Sequence, residues 1–167
     1  INPDLKGAAP DCEFVIVKLT QASKTELERA FIDSNVPSYT PWSVLLGIRY
    51  ITAVAKEVNR PVVVYIPLGS NMGSHTGNGI VEGSINNNSG RIGTVLVTPT
   101  GNQGNTETHT QGVIEKTGDY KDIQIRMGSK QKVLPIEIWI NKPNRVVLSI
   151  ISPSGEIIPN LTSKNTN

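Results

Sequence analysis

The chain has 167 residues, room for one domain or for one domain and part of another, and enough to bury a core. Its formal net charge is +2, with lysines and arginines scattered among acidic neighbours, so no basic stripe for nucleic acid is present. A single cysteine excludes an internal disulfide and a cysteine-based zinc cluster, and no apolar run approaches the ~20 residues of a membrane helix.

Hydrophobic residues make up 37% and aromatics 5%, while Gly, Asn, Ser and Thr are plentiful, a balance that predicts long surface loops on a globular frame. No secretory signal opens the sequence, and the termini give no compartment.

Residues 1–11 read as a loop punctuated by Pro3, Gly7 and Pro10, leading into an apolar strand over about 13–19. Cys12 stands at its start and is expected to be a small buried thiol. Ser23-Lys24-Thr25-Glu26 has capping-box spacing, and Leu27, Ala30 and Phe31 form the inner face of a short helix. Thr40 is a good N-cap and Pro41 suits the first helical position. Val44, Ile48, Ile51, Ala55 and Val58 then recur at helical spacing until Asn59-Arg60-Pro61. A buried strand over 62–66 follows, and strand, helix, strand predicts a parallel crossover.

Residues 69–79 form a polar, glycine-rich loop. A weaker helix over about 80–88 turns Val81 and Ile85 inward, Gly90 ends it, and residues 92–98 read as the next strand. Thr94-Val95-Leu96-Val97 has so little polar relief that it predicts a strand covered on both faces. It runs into Gly101-Asn102-Gln103-Gly104-Asn105, at the end of a strand where open α/β sheets keep functional loops.

Beyond Gly112 the period changes to two. Ile123, Ile125 and Met127 alternate with polar residues, as do Ile136, Ile138 and Ile140. Asn141-Lys142-Pro143-Asn144 predicts a hairpin loop before 146–151, and Pro153-Ser154-Gly155 a second turn before 156–158. Residues 112–167 thus read as antiparallel β with one wet face, ending in a polar, frayed stretch over 163–167.

Three segments together carry a resemblance. Gly101-Asn102-Gln103-Gly104 after a Val-rich strand, Gly7-Ala8-Ala9-Pro10 ahead of residues 12–19, and the run from Val62 to Pro67-Leu68-Gly69-Ser70 resemble, in this order, segments of the subtilisin-like serine proteases. The loop variants Gly69-Ser70-Asn71-Met72-Gly73-Ser74-His75 and Asn102 to His109 look most like the clostridial subtilases related to spore-germination proteases. The resemblance implies an α/β fold class: a partial subtilisin-like parallel sheet with flanking helices over 1–111. An antiparallel segment over 112–167 would begin an inserted jelly-roll-like domain. An extracellular, cell-envelope or spore-associated place is suggested by the resemblance alone.

The family's reaction uses a serine nucleophile, a histidine base, an orienting aspartate and oxyanion donors. The 167 residues hold no counterpart of the family's three triad segments, so the expectation is an internal fragment, inactive by itself. What the resemblance assigns here is Asn102 as the side-chain donor to the oxyanion. Read without the resemblance, Asn102 is an asparagine suited to a left-handed turn. Pro67, Leu68, Gly69 and Ser70 match the strand end along which substrate backbone lies, and Thr98, Pro99, Thr100 and Gly101 the wall of the primary specificity pocket. Thr98, Pro99 and Thr100 are bulkier than the usual residues and imply a narrowed pocket. A plainer reading of them is that they terminate the strand.

His75 and His109 lie in Gly/Ser/Thr loops and, taken as two isolated histidines, make neither a triad nor a metal site. No metal and no cofactor are expected. The loop starting at Gly69 follows a strand and precedes a helix, yet has neither phosphate-loop nor dinucleotide spacing. The expected partners are a peptide or protein substrate, the rest of the parent chain, and a second copy where truncation leaves edges or faces uncovered. Nucleic acid and membrane are not expected. The alternative, from another class, is a non-catalytic interaction module or pseudoprotease domain.

Overall fold

A computed structural model describes residues 6–129 and 131–161. The expected frayed stretch over 163–167 lies outside them. Chain contacts separate two compact units, Ile1–Pro135 and Ile136–Asn167.

In the first unit, helix α1, Lys24–Arg29, is fixed by its ends. Ser23 Oγ accepts from the Glu26 backbone N–H, and the Glu26 carboxylate accepts from the Ser23 N–H at 2.7 Å, completing the capping box. Helix α2, Pro41–Glu57, starts the same way: Thr40 Oγ1 accepts from the Ser43 N–H, with Pro41 behind it. It ends in a Schellman turn. Asn59 is left-handed at φ 51°, its N–H bonds Lys56 O and the Arg60 N–H bonds Ala55 O, so Asn59-Arg60-Pro61 stops the helix by satisfying its last carbonyls.

Strand β1, Val62–Tyr65, helix α3, Ile80–Ser89, and strand β2, Thr94–Val97, follow in order. β1 and β2 are parallel neighbours with Val62 opposite Thr94 and Tyr65 opposite Val97. Bonds from Val62 N–H to Gly93 O and from Ile66 N–H to Val97 O extend the ladder at both ends. Alternation then sorts the side chains. Val64 and Ile66 meet Ile48 of α2 in the core, with Val44, Ile51, Val62, Leu68, Ile85 and Leu96 packed around them.

Three expectations are corrected here. Residues 13–19 join no ladder among the described residues; instead Val17 and Leu19 lie over Gly47 of α2, and Glu13 pairs with Arg60 at 2.9 Å. An apolar, β-branched run becomes a strand only when a neighbour offers its backbone, and here the nearest surface is a helix face. Cys12 is exposed, because the segment it opens is covered only in part, where Val17 and Leu19 touch that helix. The β1–β2 pair is covered on one face only: Val63, Tyr65, Val95 and Val97 are exposed on the other, where no described element packs.

Residues 112–129 keep turns without ladders. Lys116 and Asp119 close one, and the expected alternation at Ile123, Ile125 and Met127 is exposed and unpaired in any sheet. In the second unit, residues 136–140 likewise form no strand, although the expected turn at 141–144 is closed by Asn144 N–H to Asn141 O. Strand β3, Leu148–Ile151, and strand β4, Ile157–Leu161, form an antiparallel hairpin with a register shift between Leu148 and Ile150. Its turn is closed by Gly155 N–H to Ser152 O, with Gly155 at φ 85°. The hairpin stands where the sequence places its last two strands. The earlier ones fail because alternation specifies a face and not a partner.

Candidate functional site

The loops that leave β1 and β2 emerge side by side, since the strands are parallel and in register. Ile66 N–H to Val97 O is the last ladder bond, and Pro67, Leu68, Gly69 and Ser70 continue from one strand while Thr98, Pro99, Thr100 and Gly101 continue from the other. Leu68 turns its side chain into the core, leaving its backbone as the part available at the loop. Ser70 Oγ accepts from the Met72 N–H at 3.0 Å, which bends the chain directly after the strand.

Gly101 begins the second bend in the left-handed region at φ 86°, and a Cβ there would come within 2.8 Å of Gln103 Oε1. That amide oxygen accepts from the Asn102 backbone N–H at 3.1 Å. The Asn102 carboxamide is exposed and has no hydrogen-bond partner among the described residues, so its N–H donors are available to a ligand. Thr106 closes the turn, donating through both its N–H and its Oγ1 to Gln103 O.

Two contacts tie the loops together. Asn71 Nδ2 donates to Thr108 Oγ1 at 3.4 Å, and His75 Nδ1 lies 3.1 Å from His109 Nδ1. The second contact contradicts the premise that the two histidines are isolated. They are far apart in sequence and meet because two parallel strands deliver their following loops to one place.

No protein-family model, curated protein or solved structure matches the chain. The site's chemistry therefore rests on its own residues. Among those described, no three or more His, Cys, Asp or Glu side chains are grouped to hold a metal, and no helix is long and apolar enough to cross a membrane. A groove lies elsewhere, between α2 and α3, where Arg49, Lys56 and Arg91 line an open surface with Leu45, Thr52 and Ser84.

What the loop pair can do is present polar donors at the rim of a small sheet. Asn102 offers a neutral carboxamide, Gly69 and Gly104 leave backbone open to close approach, and a Cβ at either glycine would meet nothing within 4 Å. The loops contain serine, threonine and histidine, yet no serine hydroxyl in them is hydrogen-bonded to either imidazole among the described residues. A nucleophile and base in working contact are not assembled here.

Proposed function

We propose that this chain is the middle of a subtilisin-like serine endopeptidase and supplies its oxyanion donor, Asn102, together with part of the substrate cleft. In this reading Pro67, Leu68, Gly69 and Ser70 line the acyl side of the cleft, and Thr98, Pro99, Thr100 and Gly101 wall the specificity pocket. The Asp, His and Ser of the triad lie in other parts of the parent protein. The observation that carries the reading is the placement of Asn102: it follows β2 through a glycine-dependent bend, its carboxamide is uncommitted, and its loop is joined to the one leaving β1 through Thr108 and Asn71. A neutral N–H donor held on a stiff bend at a sheet edge is the kind of group that stabilises a tetrahedral oxyanion.

The parent enzyme would cleave peptide bonds through an acyl-enzyme, and this chain by itself would not. A fluorophosphonate probe tests both halves of that statement. It is expected to label the full-length gene product and to leave the 167-residue chain unlabelled. Failure to label a correctly folded full-length protein favours the second reading, a pseudoprotease or interaction module. That reading has an observation of its own: Ile150 and Ile158, opposite one another in the hairpin, are both exposed, as are Ile138 and Trp139 in the same unit.

A further inference from the structure

The geometry points to a two-histidine site for a divalent transition ion of the zinc class, formed by His75 Nδ1 and His109 Nδ1 across the loops that follow β1 and β2. This inference is independent of any protease activity.

The first support is the way the rings face each other. Two imidazoles joined by a head-on N–H···N hydrogen bond would hold their centroids about 5.4 Å apart at this nitrogen separation. Two imidazoles converging on one zinc at about 2.05 Å would hold them about 4.8 Å apart, with an N–Zn–N angle of roughly 98°. The observed centroids are 4.7 Å apart, the Nδ1 atoms 3.1 Å, and the planes are inclined by 44°. The pair is therefore off the head-on line, at the nitrogen and ring separations that two ligands of one ion would have.

The second support is the tautomer. His75 Nε2 lies 3.2 Å from Asn71 O. A carbonyl oxygen only accepts, so Nε2 carries the proton and Nδ1 keeps its lone pair. A backbone carbonyl holding the far N–H is also what orients and strengthens metal-bound histidines generally. His109 then donates its Nδ1 proton to His75 when no ion is present. On binding, that proton moves to its own Nε2 and both Nδ1 lone pairs turn to the ion.

The rest of the coordination shell comes from water, which reaches both rings because both residues are exposed. Asn71 and Thr108 brace the same two loops from the side. An ion here would clip the loop that carries Asn71 to the loop that carries Asn102, fixing the rim of the sheet.

The chain contains only two histidines, which makes the test direct. In the full chain, titration with Zn²⁺ followed by NMR of the imidazole nitrogens is expected to move the signals of both rings together, saturating at one ion per chain. Mg²⁺ and Ca²⁺, which prefer oxygen ligands, are expected to leave them in place. His75→Ala and His109→Ala are each expected to weaken zinc binding at least about tenfold, the scale on which even supporting groups of a metal site act. Both side chains are on exposed loops, and far-UV circular dichroism checks that each variant keeps its fold. Movement of one ring alone, no movement at millimolar zinc, or unchanged affinity in either folded variant overturns the assignment.

Discussion

Val63 and Val95 are register partners in the parallel pair, and both turn away from the helices, 67% and 53% exposed. Tyr65 and Val97 extend the same strip, so one face of the sheet is apolar and bare. Proteins that function alone rarely leave a contiguous apolar patch uncovered. The chain is therefore expected to self-associate through this face, and light scattering should show mass rising with concentration. The double substitution Val63→Lys with Val95→Lys should return it toward the monomer. A clean monomer of the unsubstituted chain at high concentration would refute this.

Ile48 is 2% exposed and meets Val64 and Ile66 at the centre of the small core. Removing its side chain forfeits the transfer term and leaves a cavity, together about 2–5 kcal/mol. A core with so few buried members has little reserve, so Ile48→Ala should abolish cooperative unfolding or shift its denaturant midpoint far down. Tyr50 sits on the same helix and is exposed, and Tyr50→Ala should change stability by no more than about 0.5 kcal/mol. Equal effects from the two substitutions would mean that α2 does not pack through Ile48.

The elements legible in the sequence were those whose cause is local. Ser23 with Glu26, Thr40 with Pro41, and Asn59 ahead of Pro61 each satisfy backbone groups within a turn, and α1 and α2 begin, and α2 ends, where these residues stand. Val62 and Val95 announced strands, and those strands pair. Residues 13–19 and 136–140 carried equally good strand patterns, yet a pattern says which side chains share a face and nothing about which backbone lies alongside. The bare side of Val63 and Tyr65 was illegible for the same reason: the apolar run shows what the strand tolerates, and what covers it depends on other segments. At the candidate site, Gly101 and Asn102 could be found from the strand-to-glycine transition. The meeting of His75 with His109 could not, because it depends on the register of β1 against β2 and on loop paths that no local spacing encodes.

Glu26 offers a pH-dependent reading of the first cap. The Ser23 hydroxyl and then the Ser23 backbone N–H bond its carboxylate, holding the carboxyl below its usual value of 4.5. With the folded value depressed, the stabilisation is present above the unfolded value and is lost as pH falls through the folded one. NMR titration should place the Glu26 midpoint below that of an unstructured peptide, and Ser23→Ala should bring it back up while loosening α1. A midpoint indifferent to Ser23→Ala would show that the capping box does not set it.

Asn102 and Gly101 give the sharpest test of the proposed chemistry, because they separate a donor from the bend that aims it. If Asn102 has the proposed role in a parent enzyme, Asn102→Ala removes a group that bonds the oxyanion only as charge develops, so kcat should fall about 10²–10³-fold while KM stays near its original value. Gly101→Ala leaves the carboxamide in place but puts a side chain into a left-handed bend at φ 86°, against Gln103 Oε1. Gln103 can swing aside, but the left-handed φ strains any side chain at 101, and a bend that relaxes re-aims Asn102, so kcat should fall here as well, accompanied by a loss of stability that Asn102→Ala does not cause. Full turnover in Asn102→Ala would remove the oxyanion role outright. A large rise in KM with kcat unchanged would instead make Asn102 a ground-state contact to substrate, since only a group engaged more strongly in the transition state lowers kcat when it is lost.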